Sequence, residues 1–214
     1  MIQTKYSYAN AVISEDDQVL QDIHLKSKNI AIYQRNIEPL KKELNQITDQ
    51  PIECRASGTR DEILSILNDY FHNHLSNCAL LLEDVSGLLG LFEKITQASS
   101  FRLLLKTVNT DMCRKFHTDI NVLRLLCTYI GPGTHWLPDE IVNHKVLRTR
   151  GDDQKIVLDE QQIQQVSTGN VVFLKGALYP EANPILHRSP SIEEKGGKRL
   201  LLRIDTNEFL DLFT

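Results

Sequence analysis

The rhythm of apolar positions changes near residue 100. Before it, apolar side chains recur every three or four residues; after it, they gather in short runs broken by turn residues. Thr59 or Asp61 caps a predicted helix running through His74, with Ile63, Leu64, Ile66, Leu67, Tyr70 and Phe71 on its apolar face. A second helix is expected over Glu83 to Gln97, burying Val85, Leu88, Leu89, Leu91, Phe92 and Ile95. Asn29 to Tyr33 reads as a short apolar strand. Glu38 to Ile47 reads as helical, with Pro39 in a first turn that needs no N–H from it.

Beyond Ser100 the runs Phe101 to Val108, Val122 to Ile130, Asn170 to Leu174 and Arg199 to Ile204 read as strands. Gly131-Pro132-Gly133, Gly151-Asp152-Asp153, Thr168-Gly169-Asn170 and Gly196-Gly197 separate them with turn chemistry. The pattern predicts an α+β protein: an antiparallel sandwich or barrel behind a helical layer. Residues 1–100 would form a mixed helix and strand layer packed on a β-core of residues 101–214, in one compact unit, since no flexible linker marks the change.

Composition narrows the class. A chain of 214 residues, 41% hydrophobic and 24% charged, can bury a core without staples and is too apolar to be disordered. A net charge of −4 supplies no electrostatic footprint for nucleic acid. The opening residues, Met1 to Tyr8, lack an apolar signal core, and runs such as Ala79 to Leu82 are far too short to span a bilayer. Cys54, Cys78, Cys113 and Cys127 form no CxxC pair, so the expectation is reduced thiols in a soluble cytoplasmic protein.

The chemistry centres on Phe116-His117-Thr118-Asp119 and the distant Leu186-His187-Arg188-Ser189. On a strand, side chains two apart share a face, so His117 and Asp119 can grip one ion together, with His187 arriving from a second strand. Two imidazoles and one carboxylate on one face leave coordination positions open for substrate or oxygen, as in non-haem iron(II) centres. The set also accepts zinc, manganese or cobalt. His72 and His74, two apart on a helix, splay to different faces and are expected to be surface residues. His135 and His144 flank Trp136 in a loop positioned to roof the pocket; His135 as a further ligand would make the centre more zinc-like. Carrying strand parity on from Asp119 sends Cys127 and Tyr129 inward, Cys127 as a small buried hydrophobe and Tyr129 as pocket wall.

From His117 onward the order of signals resembles the iron(II)- and 2-oxoglutarate-dependent oxygenases, whose core is a double-stranded β-helix (a jelly-roll, cupin-like fold). The parts are the HxD pair, a Gly-led strand (Gly169 to Leu174), the distal His187, and a last strand opening with Arg199. The resemblance implies Fe(II) and 2-oxoglutarate as cofactors, with Arg199 as the anchor of an oxoglutarate carboxylate. Arg203 shares the parity of Arg199, and two guanidinium forks suit a dicarboxylate. At finer grain, Cys113 to Asp119, Arg124 to Tyr129, Gly131 to Thr134, Trp136-Leu137-Pro138, Leu174-Lys175-Gly176 and His187 to Pro190 are similar to an uncharacterised bacterial family, domain-of-unknown-function family 1826. That likeness implies a link to zinc homeostasis and to metal-chaperone GTPases. Two readings follow: an oxygenase-like protein of unknown substrate, or a non-enzymatic protein holding Zn(II) alone on the same scaffold. No substrate-specificity motif accompanies the triad.

Overall fold

The computed structural model describes residues 8–149, 155–181 and 183–207; the expected turn at Gly151-Asp152-Asp153 falls outside them. Among the described residues ten strands run in chain order: β1 (Ala11–Ser14), β2 (Ile30–Tyr33), β3 (Glu53–Gly58), β4 (Phe101–Val108), β5 (Leu123–Ile130), β6 (His135–Trp136), β7 (Gln164–Gln165), β8 (Val171–Lys175), β9 (His187–Arg188) and β10 (Arg199–Thr206). They form a seven-stranded sheet, ordered β1-β2-β8-β5-β10-β4-β3, and a three-stranded sheet, β7-β6-β9. All pairings in the large sheet are antiparallel except β1 with β2.

The α-helices that accompany them among the described residues are α1 (Lys41–Ile47), α2 (Arg60–His74), α3 (Ala79–Thr96) and α4 (His144–Arg148). Thr59 is the N-cap of α2: its hydroxyl accepts from the Glu62 N–H while the Glu62 carboxylate accepts from the Thr59 N–H. This reciprocal cap satisfies two of the amides a helix start leaves unpaired, worth about 1 kcal/mol. Ile63, Leu67 and Phe71 are the buried stripe of α2, whereas Ile66 is 40% exposed. The second helix begins at Ala79 rather than Glu83, so Leu81 joins its buried face. The Glu43 carboxylate accepts from the Leu80 and Leu81 amides, an N-terminal cap supplied from another helix that local sequence does not reveal.

Strand alternation divides the core between the two faces of the large sheet. Leu103, Leu125, Phe173, Leu202 and Ile204 pack with Leu67, Leu89 and Phe92 under the helices. Leu126, Val172 and Leu174 point the other way and pack with Trp136, Val166 and Ile185 around the small sheet. The layers are therefore helices, large sheet, small sheet. The expected division near residue 100 has no counterpart in the strand pairing: β3 pairs with β4 and β2 with β8, so the first hundred residues supply both edges of the sheet and not only a layer on it. Among the described residues no helix is long and apolar enough to cross a membrane.

One glycine sets the approach of two central strands. Gly131 ends β5 with φ +81, and a Cβ there would lie 2.1 Å from the Lys198 carbonyl oxygen. Only glycine lets the start of β10, and with it Arg199, close onto the end of β5.

Candidate metal centre

His117, Asp119 and His187 come together, with one ligand atom from each all within 4.8 Å of one another. They are not assembled by strand parity. His117 lies in the irregular chain between β4 and β5, tied to β9 by an isolated antiparallel bridge. The His117 N–H donates to the His187 carbonyl and the His187 N–H to the His117 carbonyl, both at 3.0 Å. Asp119 is fixed separately, its carbonyl accepting from the Ala177 N–H at 2.8 Å. Trp136 pairs with His187 across β6 and β9 and packs into the core between the sheets, and His187 is 4% exposed.

Each ring is oriented from behind. His117 Nδ1 is 3.0 Å from the Lys115 carbonyl and His187 Nδ1 is 3.3 Å from the Ile185 carbonyl. A carbonyl only accepts, so each Nδ1 carries a proton, and in the neutral ring each Nε2 keeps its lone pair. Those lone pairs face the carboxylate: His187 Nε2 is 3.2 Å from Asp119 Oδ2 and His117 Nε2 is 3.8 Å from Oδ1. Two ligands about 2.1 Å from an ion and at right angles lie about 3 Å apart, so the spacing suits a facial set. Burial resists ionisation of Asp119; when the two rings are protonated, the His187 hydrogen bond and the charges of His187, Arg124 and His117 outweigh it and hold the carboxyl at about 2.

Arg124, to which sequence reasoning assigns no role, holds the centre to the sheet. Its Nη1 reaches Asp119 Oδ2 at 2.5 Å, while Nε and Nη2 engage Asp205 of β10 at 2.5 and 3.2 Å. Asn121 Nδ2 adds a hydrogen bond to Asp205 Oδ1 at 3.0 Å. The approach to Asp119 Oδ2 lacks hydrogen-bond direction, and this buried oxygen has no properly aligned donor among the described residues. A carboxylate oxygen with no aligned donor beyond its ion pair with Arg124, where two imidazoles converge, fits a cation, and all three residues present suit one.

The two arginines share a face of β10. Leu200, Leu202 and Ile204 lie under the helices, so Arg199, Leu201, Arg203 and Asp205 look toward the small sheet, as does Arg124 of β5. Arg199 is 2% exposed; among the described residues its hydrogen bond is from Nη2 to Thr128 Oγ1 at 3.2 Å, and its Nε has no partner. Burial pulls its guanidinium down to about 10. Arg203 sits nearer the triad, Nε 3.1 Å from Asp205 Oδ2, with desolvation lowering its pKa despite that carboxylate.

Tyr129 is a correction. The chain bends between Asp119 and Leu123, so parity does not carry across, and Tyr129 points to the helical face of β5. Its hydroxyl donates to Asp84 Oδ2 of α3 at 2.5 Å, beside a bidentate Arg35–Asp84 pair. Cys127 lies in the same network, 3.4 Å from Arg35 Nη2, with burial pushing its thiol up to about 11. Neither residue faces the triad. His135 is not one of the converging ligands: it stands opposite Arg188 on β6, and burial with the charges of Arg188 and Arg199 lowers its pKa. His144 is exposed beside Asp139 at 3.8 Å, and His74 stacks on Tyr70 at the end of α2.

The family model described as "Protein of unknown function (DUF1826)" matches residues 14–205. The chain belongs to that family. No curated protein matches it. Among solved structures, this DUF1826 chain is similar to a putative oxygenase from Shewanella oneidensis, with 12% identity, TM-score 0.46, and 94% of this chain and 90% of that one covered. It is also similar to a Pseudomonas putida prolyl-4-hydroxylase, with 8% identity, TM-score 0.45, and 87% and 95% covered. A third is a full-length Neurospora crassa protein in complex with alpha-KG, with 12% identity, TM-score 0.44, and 90% and 78% covered. At such scores these likenesses leave the reaction to be judged from the site itself.

Proposed function

We propose that the chain is an iron(II)- and 2-oxoglutarate-dependent oxygenase built on a double-stranded β-helix. One observation carries the reading: the fully buried Arg199, with no acidic partner among the described residues, lies on the same sheet face as the residues that organise the His117–Asp119–His187 triad. A buried guanidinium without a counter-ion calls for an anion, and its planar fork matches a carboxylate. The order of elements supports the scaffold, because the chain alternates between sheets: β4 in the large one, His117 bridged to the small one, β5 large, β6 and β7 small, β8 large, β9 small, β10 large.

In this reading His117 and His187 would hold the ion through Nε2 and Asp119 through a carboxylate oxygen. When bound, iron and 2-oxoglutarate supply the oxidation of a C–H bond by dioxygen, coupled to loss of carbon dioxide. The chain's own part is placement and exclusion of water. Lys115 and Ile185 carbonyls keep the Nε2 lone pairs forward, Arg124 keeps Asp119 ionised and aimed, and Arg199 binds the remote carboxylate of the cosubstrate. Trp136, Leu126 and Val172 close the space between the sheets to solvent.

Anaerobic addition of iron(II) and 2-oxoglutarate to the purified protein tests this directly. A visible metal-to-ligand charge-transfer band is expected, absent from His117→Ala and weakened in Arg199→Met. Tight zinc binding with no rise in thermal stability on adding 2-oxoglutarate would instead support the zinc-holding reading, because any ligand of the native state raises apparent stability.

A further inference from the structure

Arg199 and Lys175 are the buried lysine and arginine side chains among the described residues, and neither has an acidic group within ion-pair distance among them. The proposed cosubstrate accounts for Arg199. Lys175 needs a separate account, because it stands at the end of β8 on the helical side of the large sheet, with Val171 and Phe173, away from the triad.

Lys175 is 1% exposed, yet it lines an open cleft of about 420 Å³, with Val122, Leu123, Ala98, Tyr179 and Pro180 among the other walls. That volume is within the range of small-molecule sites. The ammonium donates to the Leu25 carbonyl at 2.9 Å and lies 4.3 Å from the centre of the Tyr179 ring. These contacts use one N–H and one side of the charge. Burial lowers the pKa, and no neighbouring charge acts on it.

The ring that faces the ammonium is held rigidly. His24 Nε2 is 3.0 Å from the Ile95 carbonyl, which can only accept, so Nε2 carries the proton. His24 Nδ1, at 2.8 Å, then accepts from the Tyr179 hydroxyl. The phenol proton is thereby committed to His24, and Tyr179 offers Lys175 only its π face. At the mouth, Lys26 and Glu181 form an exposed pair at 3.5 Å, whose charges offset each other and leave Lys175 uncompensated among the described residues.

We propose that this cleft is a second ligand site, for a small organic anion whose carboxylate or phosphate takes the place of the missing counter-ion on Lys175 and whose apolar body rests on Val122, Leu123 and Pro180. Buried charges in proteins are paired, and a lysine held by one carbonyl and one ring retains donors for an anion. The site is independent of the triad and of the reaction proposed there.

Pyridoxal 5′-phosphate with borohydride, followed by peptide mass mapping of the full chain, reads the site without knowledge of the natural ligand. The aldehyde condenses with the lysine amine, water leaves, and hydride from borohydride reduces the imine to a stable secondary amine. Lys175 should be modified ahead of the exposed Lys26. An excess of inorganic phosphate or of succinate should suppress Lys175 labelling on the order of tenfold, as occupancy well above Kd requires, while Lys26 labelling is unchanged. Whichever anion protects identifies the headgroup. His117→Ala, which removes a triad ligand, should keep both labelling and protection, so failure of the metal reading is distinguishable. Lys175 left unmodified in the folded protein, or modified with protection by neither anion, would overturn the proposal and make the ammonium a structural cation. The wild-type measurement stands even if Lys175→Met fails to fold; if it folds, the stabilisation by the protecting anion should disappear.

Discussion

Arg124 and Asp205 form a two-point pair between adjacent central strands, Nε to Oδ1 at 2.5 Å and Nη2 to Oδ2 at 3.2 Å. The third nitrogen of the same guanidinium reaches the ligand carboxylate of Asp119. The loop that carries Asp119 is thus referenced to β10 through one planar cation, and the geometry of Asp119 depends on the register of the large sheet.

Arg124→Met should therefore be among the most damaging single changes outside the triad. It removes the guanidinium from Asp119 and the two-point partner from Asp205, which keeps only Asn121 and Arg203 among the described residues, and breaking a buried pair in this way costs about 3–5 kcal/mol. Urea unfolding measures that loss. Metal affinity should fall about 10–100-fold in whatever fraction folds, as for other residues that orient ligands. Arg124→Lys should not restore it, because an ammonium cannot span both carboxylates.

The two histidines of the triad should separate in stability although the proposed function needs both for the ion. His187 is 4% exposed against Trp136, and His187→Ala leaves a void that should cost about 2 kcal/mol or more. His117 has a side chain 35% exposed, and His117→Ala should cost less than about 1 kcal/mol. Elemental analysis beside thermal denaturation of both variants checks the pattern. Equal destabilisation with retained metal would contradict the site.

Tyr129→Phe distinguishes the two faces of β5. The change removes the donor to Asp84 in a buried network and should lower stability by about 1–3 kcal/mol. Metal content and the response to 2-oxoglutarate should be unchanged. A loss of either would place Tyr129 back at the triad.

Acid should loosen the chain before β10. Asp111 accepts from the Ile192 and Glu193 amides at 2.7 and 2.9 Å and from the Ser191 hydroxyl at 2.7 Å, and these bonds hold its carboxyl at about 2 against the ordinary 3.8. A carboxyl depressed by folding contributes stability above the unfolded value and loses it as pH falls through the folded one. Amide exchange at Ile192 and Glu193 should quicken, relative to intrinsic rates, as pH falls from about 4 to about 2. In Asp111→Asn it should already be fast at neutral pH.

Long periodic segments are legible in the sequence because their signals are local. The Thr59 cap, the Ile63, Leu67 and Phe71 positions of the α2 stripe and the run Phe101 to Val108 all appear where periodicity places them. The two-residue strands β6, β7 and β9 carry no such pattern, and they exist only because the small sheet closes around Trp136. For the centre, the residue types of the HxD pair and the distal histidine announce the triad, although the strand geometry invoked for them is absent: an isolated bridge and an arginine do that work. Arg124 leaves one trace, a charge one residue into an apolar strand, and its partner Asp205 lies 81 positions away, beyond the reach of spacing. Parity misplaces Tyr129 because alternation is lost wherever the backbone bends.

Seventy residues separate His117 from His187, yet their backbones share two hydrogen bonds. Joining such distant segments is entropically costly, so this contact forms only once β5 to β8 have found their places. In an unfolded chain the two imidazoles and the carboxylate are independent weak donors. An ion that binds all three therefore acts as a clasp on the completed topology, and its uptake during refolding would serve as a clock for the last long-range step.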